Sequence, residues 1–216
     1  MKNLAKLKVL IPVLFIFVNS QSVFAQSKAD IFDGKTPITW LGLDYTQAKF
    51  FLSHTSSFKV PEASTSEMVQ TYIPAWNYLF MIQQKKFNVA KAVHRATVGY
   101  ALSVTEKVNR GITKDFIDTN PADFNTLTEQ NISDLVKNYD FQGNTGIGML
   151  FFIEGMSKET ETEGAWVTFV DMKTNTLLFT KYLTDKTAGM GFRNNWADAT
   201  FKMLLQIGAD YDQWAK

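Results

Sequence analysis

The residues of this chain that could do chemistry are few and fall in a handful of places. Gly189-Met190-Gly191-Phe192-Arg193-Asn194 precedes a helical pattern. Flexible glycines, free backbone N–H groups and an arginine could together hold an anion there. The same residues serve a structural end if the glycines make a tight strand-to-helix turn and Arg193 pairs with a neighbouring acid. Asp44, Glu154 and Asp171 fall at or near predicted strand ends. Converged carboxylates of this kind do acid–base work or bind calcium. Held apart, Asp44 caps a strand end, Asp171 opens a turn and Glu154 pairs with a base. The candidate ligand-binding residues are therefore Gly189, Gly191, Arg193, Asp44 and Asp171.

Other chemistries have less to work with. The chain has no cysteine, which excludes thiol catalysis, thiolate zinc sites and cysteine-attached haem. Its only histidines are His54, in a Ser/Thr-rich stretch, and His94, beside Arg95. No Gly-x-Ser-x-Gly segment accompanies them, so a hydrolase triad has no support. No catalytic residue, metal ligand or cofactor is assigned. Gly143-Asn144-Thr145-Gly146-Ile147-Gly148 is glycine-rich but precedes a strand, whereas phosphate-cradling loops follow a strand and open a helix. It reads as a helix-to-strand turn.

These residues need elements to position them. Ile38 to Tyr45 reads as a first strand after Pro37. Polar residues 53–70 read as a loop or a partly ordered connection, and Ile73 to Lys85 as a helix with Pro74 in its first turn. Thr97 to Thr105 alternates as a second strand, with Val98, Tyr100, Leu102 and Val104 on one side. Thr126-Leu127-Thr128-Glu129 fits a capping box, followed by the helical stripe Ile132, Leu135, Val136 and Tyr139. Ile147 to Ile153 and Ala165 to Val170 are apolar runs suited to buried strands. Leu177 to Leu183 is a further strand, where Lys181 suits a sheet edge. A last helix is expected from about Asn194 to Gly208. The order β-α-β-α-β-β-β-α predicts an α+β fold: one mixed sheet of about five strands with helices packed on it. Trp166 and Phe169 should then be buried on opposite faces of one strand.

The amino terminus sets the compartment. Lys2, Lys6 and Lys8 form a basic head, Val9 to Val18 an apolar run, and Val23-Phe24-Ala25 a cleavage-like end. That is the build of a secretory signal peptide, too short for a permanent span. Residues 1–25 are expected to be removed, leaving a domain of residues 26–216 in the periplasm or secreted. Without them the chain has 19 basic and 21 acidic residues, a formal charge of −2. This balance gives no electrostatic case for nucleic acid. The absence of cysteine leaves no site for a lipid anchor at the cut.

A resemblance rests on Phe169-Val170-Asp171, Gly189-Met190-Gly191-Phe192-Arg193-Asn194-Asn195-Trp196-Ala197, Gly42-Leu43-Asp44-Tyr45 and Val136-Lys137-Asn138-Tyr139-Asp140. Together they resemble an uncharacterised family of secreted Bacteroidetes proteins, across essentially all of the processed chain. Asn195 stands where that family also uses an aromatic residue. The element order is similar, at fold level, to envelope accessory domains such as the amino-terminal domain of TolB and curli-secretion lipoproteins. The resemblance implies no activity. The resulting expectation is an exported, non-enzymatic accessory or interaction protein, with another envelope protein as the kind of partner that role implies. The alternative is an exported hydrolase or small anionic-ligand binder using Arg193 and nearby carboxylates.

Overall fold

Strand β5 (Ile147–Ser157) organises the sheet, because every lane is placed relative to it. The computed structural model describes residues 25–51, 63–118 and 120–216. The basic head, the apolar run and His54 lie outside the described residues. One edge of β5 pairs in parallel with β1 (Ile38–Asp44) and then, further along, with β2 (Lys49–Phe51). β1 and β2 are thus one lane, interrupted at residues 45–48. Outside them run two short parallel strands, β3 (Gly99–Tyr100) on β1 and β4 (Ile117–Asp118) on β2. The other edge of β5 carries the antiparallel meander of β6 (Thr162–Asp171) and β7 (Thr176–Lys186). The result is a mixed sheet of five lanes in a single-domain α+β fold. Lys181 lies exposed on the outer strand β7.

Helices cover both faces. One face carries Ile31 of α1 (Lys28–Phe32), Trp76 and Phe80 of α3 (Ile73–Ile82), Val89 of α4 (Val89–Ala92) and Ile207 of α7 (Phe192–Trp214). The other carries Val104 of α5 (Ser103–Arg110) and Ile132 and Val136 of α6 (Glu129–Lys137). Phe169 belongs to the first cluster and Trp166 to the second, and both are buried, as their odd spacing requires. No helix among the described residues is long and apolar enough to cross a membrane.

Four boundaries differ from the sequence expectation. Helical structure begins before Ile73, with the short turn α2 (Thr65–Glu67) capped by Ser64 and a π-helical segment Met68–Tyr72. Buried Met68 anchors it, so the end of the polar stretch is not loop. The strand expected over Thr97 to Thr105 shrinks to two residues, because α5 takes over at Ser103. The cap of α6 is Thr128 with Asn131 as its reciprocal partner, two residues later than read. Helix α7 starts at Phe192 and runs through Gly208 to Trp214, so that Gly208 lies within the helix instead of ending it.

The replacement of a strand by α5 has a physical logic. Beyond the short β3, the outer edge of buried β1 would face orphaned backbone groups. Side chains take the place of a strand there. Thr105 donates to Leu41 O at 2.6 Å. The Asn77 carboxamide accepts from Leu43 N at 2.7 Å and donates to Leu43 O at 3.1 Å. Asn109 donates to Leu43 O at 2.8 Å and accepts from Tyr45 N at 2.8 Å. Gly42, at φ +108°, makes room: a β-carbon there would collide with both Asn77 Oδ1 and Thr105 Oγ1.

Replacing Asn109 with Ala should therefore destabilise the fold by about 1–3 kcal/mol, because Tyr45 N–H is left buried without a partner. A lowered urea midpoint at unchanged slope is the expected result.

A second prediction concerns Glu163, buried on β6 under α7. Thr200 donates to its Oε1 at 2.9 Å, while Oε2 meets no donor among the described residues. Burial pushes its carboxyl from the usual 4.5 up to about 8. Between those values the unfolded chain holds fewer protons at this site than the fold does. The stability contributed is fully present below about pH 4.5 and is lost as pH rises through about 8. Glu163→Gln should flatten that decline and be the more stable protein at pH 9, by on the order of a few kcal/mol. Thermal unfolding from pH 5 to 9 measures it.

Candidate functional site

The site is built where β1 lets go of the sheet. Asp44 ends that strand with its side chain on the α5/α6 face, fully buried. Its Oδ2 accepts from the Tyr139 hydroxyl at 2.7 Å and its Oδ1 from Thr46 N at 2.7 Å. Burial pushes the Asp44 carboxyl up, and the Thr46 and Tyr139 bonds pull against that shift. The Tyr139 phenol is pushed up by burial first and by the Asp44 charge second. Tyr139 follows α6 and is held in place: Asn175 donates to its carbonyl at 2.6 Å, and its ring packs on Phe141 and Phe152.

An open cleft of about 480 Å³ lies over this pair. Its polar wall is Asp44, Thr46, Gln47, Asn131, Asp134, Asn138 and Tyr139, and its apolar wall is Val108, Leu127, Leu135 and Phe152. No lysine, arginine or histidine lines it. A smaller depression of about 80 Å³ continues from it past Thr46, Gln47 and Leu127 to Glu154. Glu154 stands at an irregularity in the β5–β6 pairing, between Ile153 and Gly155. Such bulges re-aim a side chain out of the regular ladder. Its Oε1 accepts from Thr126 N and from Leu127 N (2.6 Å), and its Oε2 from the Trp166 indole at 2.8 Å. Glu154 thus pairs with N–H donors where the sequence reading placed a base.

The remaining candidates do not join this site. Asp171 aligns with Ile147, whereas Asp44 aligns with Phe152. Five residues along β5 separate them, roughly 16 Å. Asp171 opens a turn by accepting from Lys173 N at 2.9 Å and Thr174 N at 3.3 Å. Its other oxygen accepts from Gln26 N at 3.0 Å. Arg193 starts α7 on the opposite face of the sheet, where its carbonyl accepts from the Trp76 indole at 2.8 Å. No carboxylate lies within ion-pair distance of its guanidinium among the described residues, and its buried Nε–H meets no acceptor there. Neither expected partner of Arg193, Asp44 or Asp171, reaches it. Gly189 and Gly191 make the turn into α7: a β-carbon at Gly189 would collide with the Asn194 backbone, and Gly191 sits at φ +80°. His94 is far from Asp44, its ring nitrogens 3.0 Å from Asp212 Oδ1 and 3.0 Å from Gly208 O. The Gly143–Gly148 segment is a turn ahead of β5.

Comparison with known proteins returns no matching family model, no matching curated protein and no matching solved structure. The site must be judged by its own geometry. No group of three or more possible metal ligands gathers among the described residues. The arrangement presents hydrogen-bonding amides and one exposed acid beside an apolar wall. Sequence reasoning found Asp44 and quoted the segment around Tyr139 but did not pair them. It also passed over Asn77, Thr105 and Asn109. A lone asparagine inside the apolar run Ile73–Ile82 was the available signal.

Tyr139→Phe removes a donor from a buried carboxylate without altering the ring. The Asp44 carboxyl should then rise further, so the loss of stability should be larger at pH 8 than at pH 4 and about 1–3 kcal/mol at the upper end. Equal losses at both pH values would dissociate Tyr139 from the ionisation of Asp44.

Proposed function

We propose that this chain works outside the cytoplasm as a non-enzymatic accessory protein, with the cleft over Asp44 and Tyr139 as its recognition site. The observation that carries the reading is the state of the cleft's acids. Asp44 is engaged by Tyr139 and Thr46, and Glu154 by three N–H donors. Among the described residues neither is hydrogen-bonded to a histidine or lysine that could act as its partner base, a group acid–base catalysis needs within reach. The polar side chains facing the cleft are Gln47, Asn131, Asn138 and Asp134, above an apolar wall. Asn131 Oδ1 is engaged in the cap of α6, and Asp134 Oδ1 accepts from Lys137 Nζ at 2.8 Å and Gln130 Nε2 at 3.0 Å, which leaves Asp134 Oδ2 and the Asn131 amino group toward a ligand. They fit a neutral or cationic polar group carried on a short apolar body, such as a peptide side chain of an envelope partner. The alternative of a hydrolase that joins Arg193 to Asp44 or Asp171 loses its support, because Arg193 lies apart from both carboxylates.

Export and membership of the secreted Bacteroidetes family belong to the same proposal. Two of the segments on which the likeness rests, Gly42–Tyr45 and Val136–Asp140, supply the Asp44–Tyr139 bond. The geometry at Gln26 also favours cleavage after Ala25. Its backbone nitrogen donates to the almost fully buried Asp171 carboxylate. Cleavage there would make that nitrogen an α-ammonium and the bond an ion pair, stronger than the amide bond it replaces.

Matched short alkyl probes bearing an amine, an amide or a carboxylate test the cleft. The amine and amide should raise the melting temperature and the carboxylate should not, with the gain lost in Asn138→Ala. A preference for the carboxylate would overturn the cleft's assignment. Ester hydrolysis abolished by Asp44→Asn would overturn its non-enzymatic character.

Processing is tested separately. Intact mass of the exported chain should begin at Gln26, and Asp171→Asn should lower the melting temperature more in the processed chain than in the uncut one. Retention of residues 1–25 would overturn the export reading, and equal losses would remove the ion pair from it.

A further inference from the structure

A second cleft, on the other face of the sheet, has the opposite electrostatics. It lies between α4 and α7 and has a volume of about 550 Å³, within the range of small-molecule sites. Its floor is apolar, formed by Phe201, Leu204 and Leu205. Leu205 is 53% exposed and continues the apolar surface of Phe201 and Leu204 along the outer side of α7. Gly208 and Ala92 line the groove where α7 meets α4.

The rim is basic. Lys85, Lys86 and Lys91 all line the groove, and none has a carboxylate within ion-pair distance among the described residues. Lys86 instead lies over the Phe87 and Phe201 rings, at 5.5 and 5.0 Å from their centroids. That position keeps its ammonium at the boundary between floor and rim. No acid lines the groove, and Asp212 contacts the lining residue His94, with Oδ1 3.0 Å from its Nδ1. Three lysines with no carboxylate partner among the described residues, one of them resting on aromatic rings, stand above an apolar trough and complement one kind of ligand. An uncharged apolar molecule would leave the lysines without a partner, and a free inorganic anion would leave the floor wet.

We propose that this groove binds a single amphiphilic anion from solution, with a hydrocarbon body on Phe201, Leu204 and Leu205 and an acidic head among Lys85, Lys86 and Lys91. The occupant is a monomeric fatty-acid-like carboxylate rather than a membrane surface or a second copy of the chain. The proposal is independent of the Asp44 cleft, which lies on the opposite face and carries no base.

Calorimetric titration of the purified chain tests it with decanoate, decyltrimethylammonium and acetate, each below any micelle-forming concentration. Decanoate should bind with one-to-one stoichiometry, and the other two at least about tenfold more weakly. Affinity for decanoate should fall as salt is raised, because the head is held by exposed charges. Lys86→Glu with Lys91→Glu should weaken it by about tenfold or more, and Leu205→Ser should weaken it at every salt concentration. All these positions are exposed, and an unchanged melting temperature of each variant certifies its fold. Equal affinity for the cationic and anionic amphiphiles would reduce the groove to nonspecific apolar adsorption and overturn the proposal. So would binding to anionic phospholipid vesicles without binding of free decanoate. A dimer in solution that Leu205→Ser dissociates would assign the groove to a second copy and overturn it as well.

Discussion

The outer edge of β1 is the constraint on which the rest of the structure depends. A strand buried on both faces cannot leave its N–H and C=O groups unpaired, since each orphan costs about 1–3 kcal/mol. A long neighbouring strand is the usual answer. Here β3 supplies two residues of it, and Thr105, Asn77 and Asn109 supply the remainder from α5 and α3. One consequence is that two helices are pinned to the sheet by polar bonds at fixed register, which apolar packing alone would leave free to slide. Another is that Gly42 has no alternative side chain, because the two polar anchors occupy the space a β-carbon would need. The third is functional. A strand held by side chains can stop wherever the side chains stop, and β1 stops at Asp44. The break before β2 opens the cleft.

Four acids are buried in or near this sheet, and their surroundings separate structure from chemistry. Asp171 and Glu154 accept several N–H bonds each, so their charges are solvated by the backbone and an indole. Asp44 has two donors and Glu163 has one. Burial raises the carboxyls of Asp44 and Glu163, and their few donors only partly oppose it. Raised acids can serve as catalytic acids, but only beside a group that needs the proton. Glu163 is sealed under α7 beside Thr200, away from any cleft described above. Asp44 reaches one, yet both its oxygens are occupied. Both oxygens of Asp44 are thus committed to fixing the end of β1, the feature on which the proposed recognition role rests.

The sequence carried the sheet's centre more clearly than its edges. Runs such as Ile147–Ile153 and Ala165–Val170 can only be central strands in a chain this short, and β5, β6 and β7 fell where those runs lie. The stripe of α6 was equally direct, with only its cap displaced to Thr128. Residues 97–105 misled because alternation of Val98, Tyr100, Leu102 and Val104 is also what a short strand followed by an amphipathic helix produces. The deciding residues were Thr105 and Asn109, four apart on one helical face, and their partners lie more than sixty positions away on β1. The Asp44–Tyr139 bond spans 95 positions and has no local signature at all. The glycines before α7 were legible as a turn. The fate of Arg193 was not, since it depends on which face of the sheet the helix takes.

Near-neutral net charge is a poor guide to what such a chain binds. A formal charge of −2 for residues 26–216 averages over two faces with different characters. The cleft beside α6 is lined by amides and acids, and the groove between α4 and α7 by lysines. The sheet that separates them is filled by aromatic and aliphatic side chains on both sides, a low-dielectric layer that keeps the clefts physically distinct while exposed charges are screened by salt within about 10 Å. Each cleft can therefore select its ligand by local charge as if the other were absent. Two unlike clefts on opposite faces of one sheet are what the two proposed ligands, a polar side chain and an amphiphilic anion, would separately require.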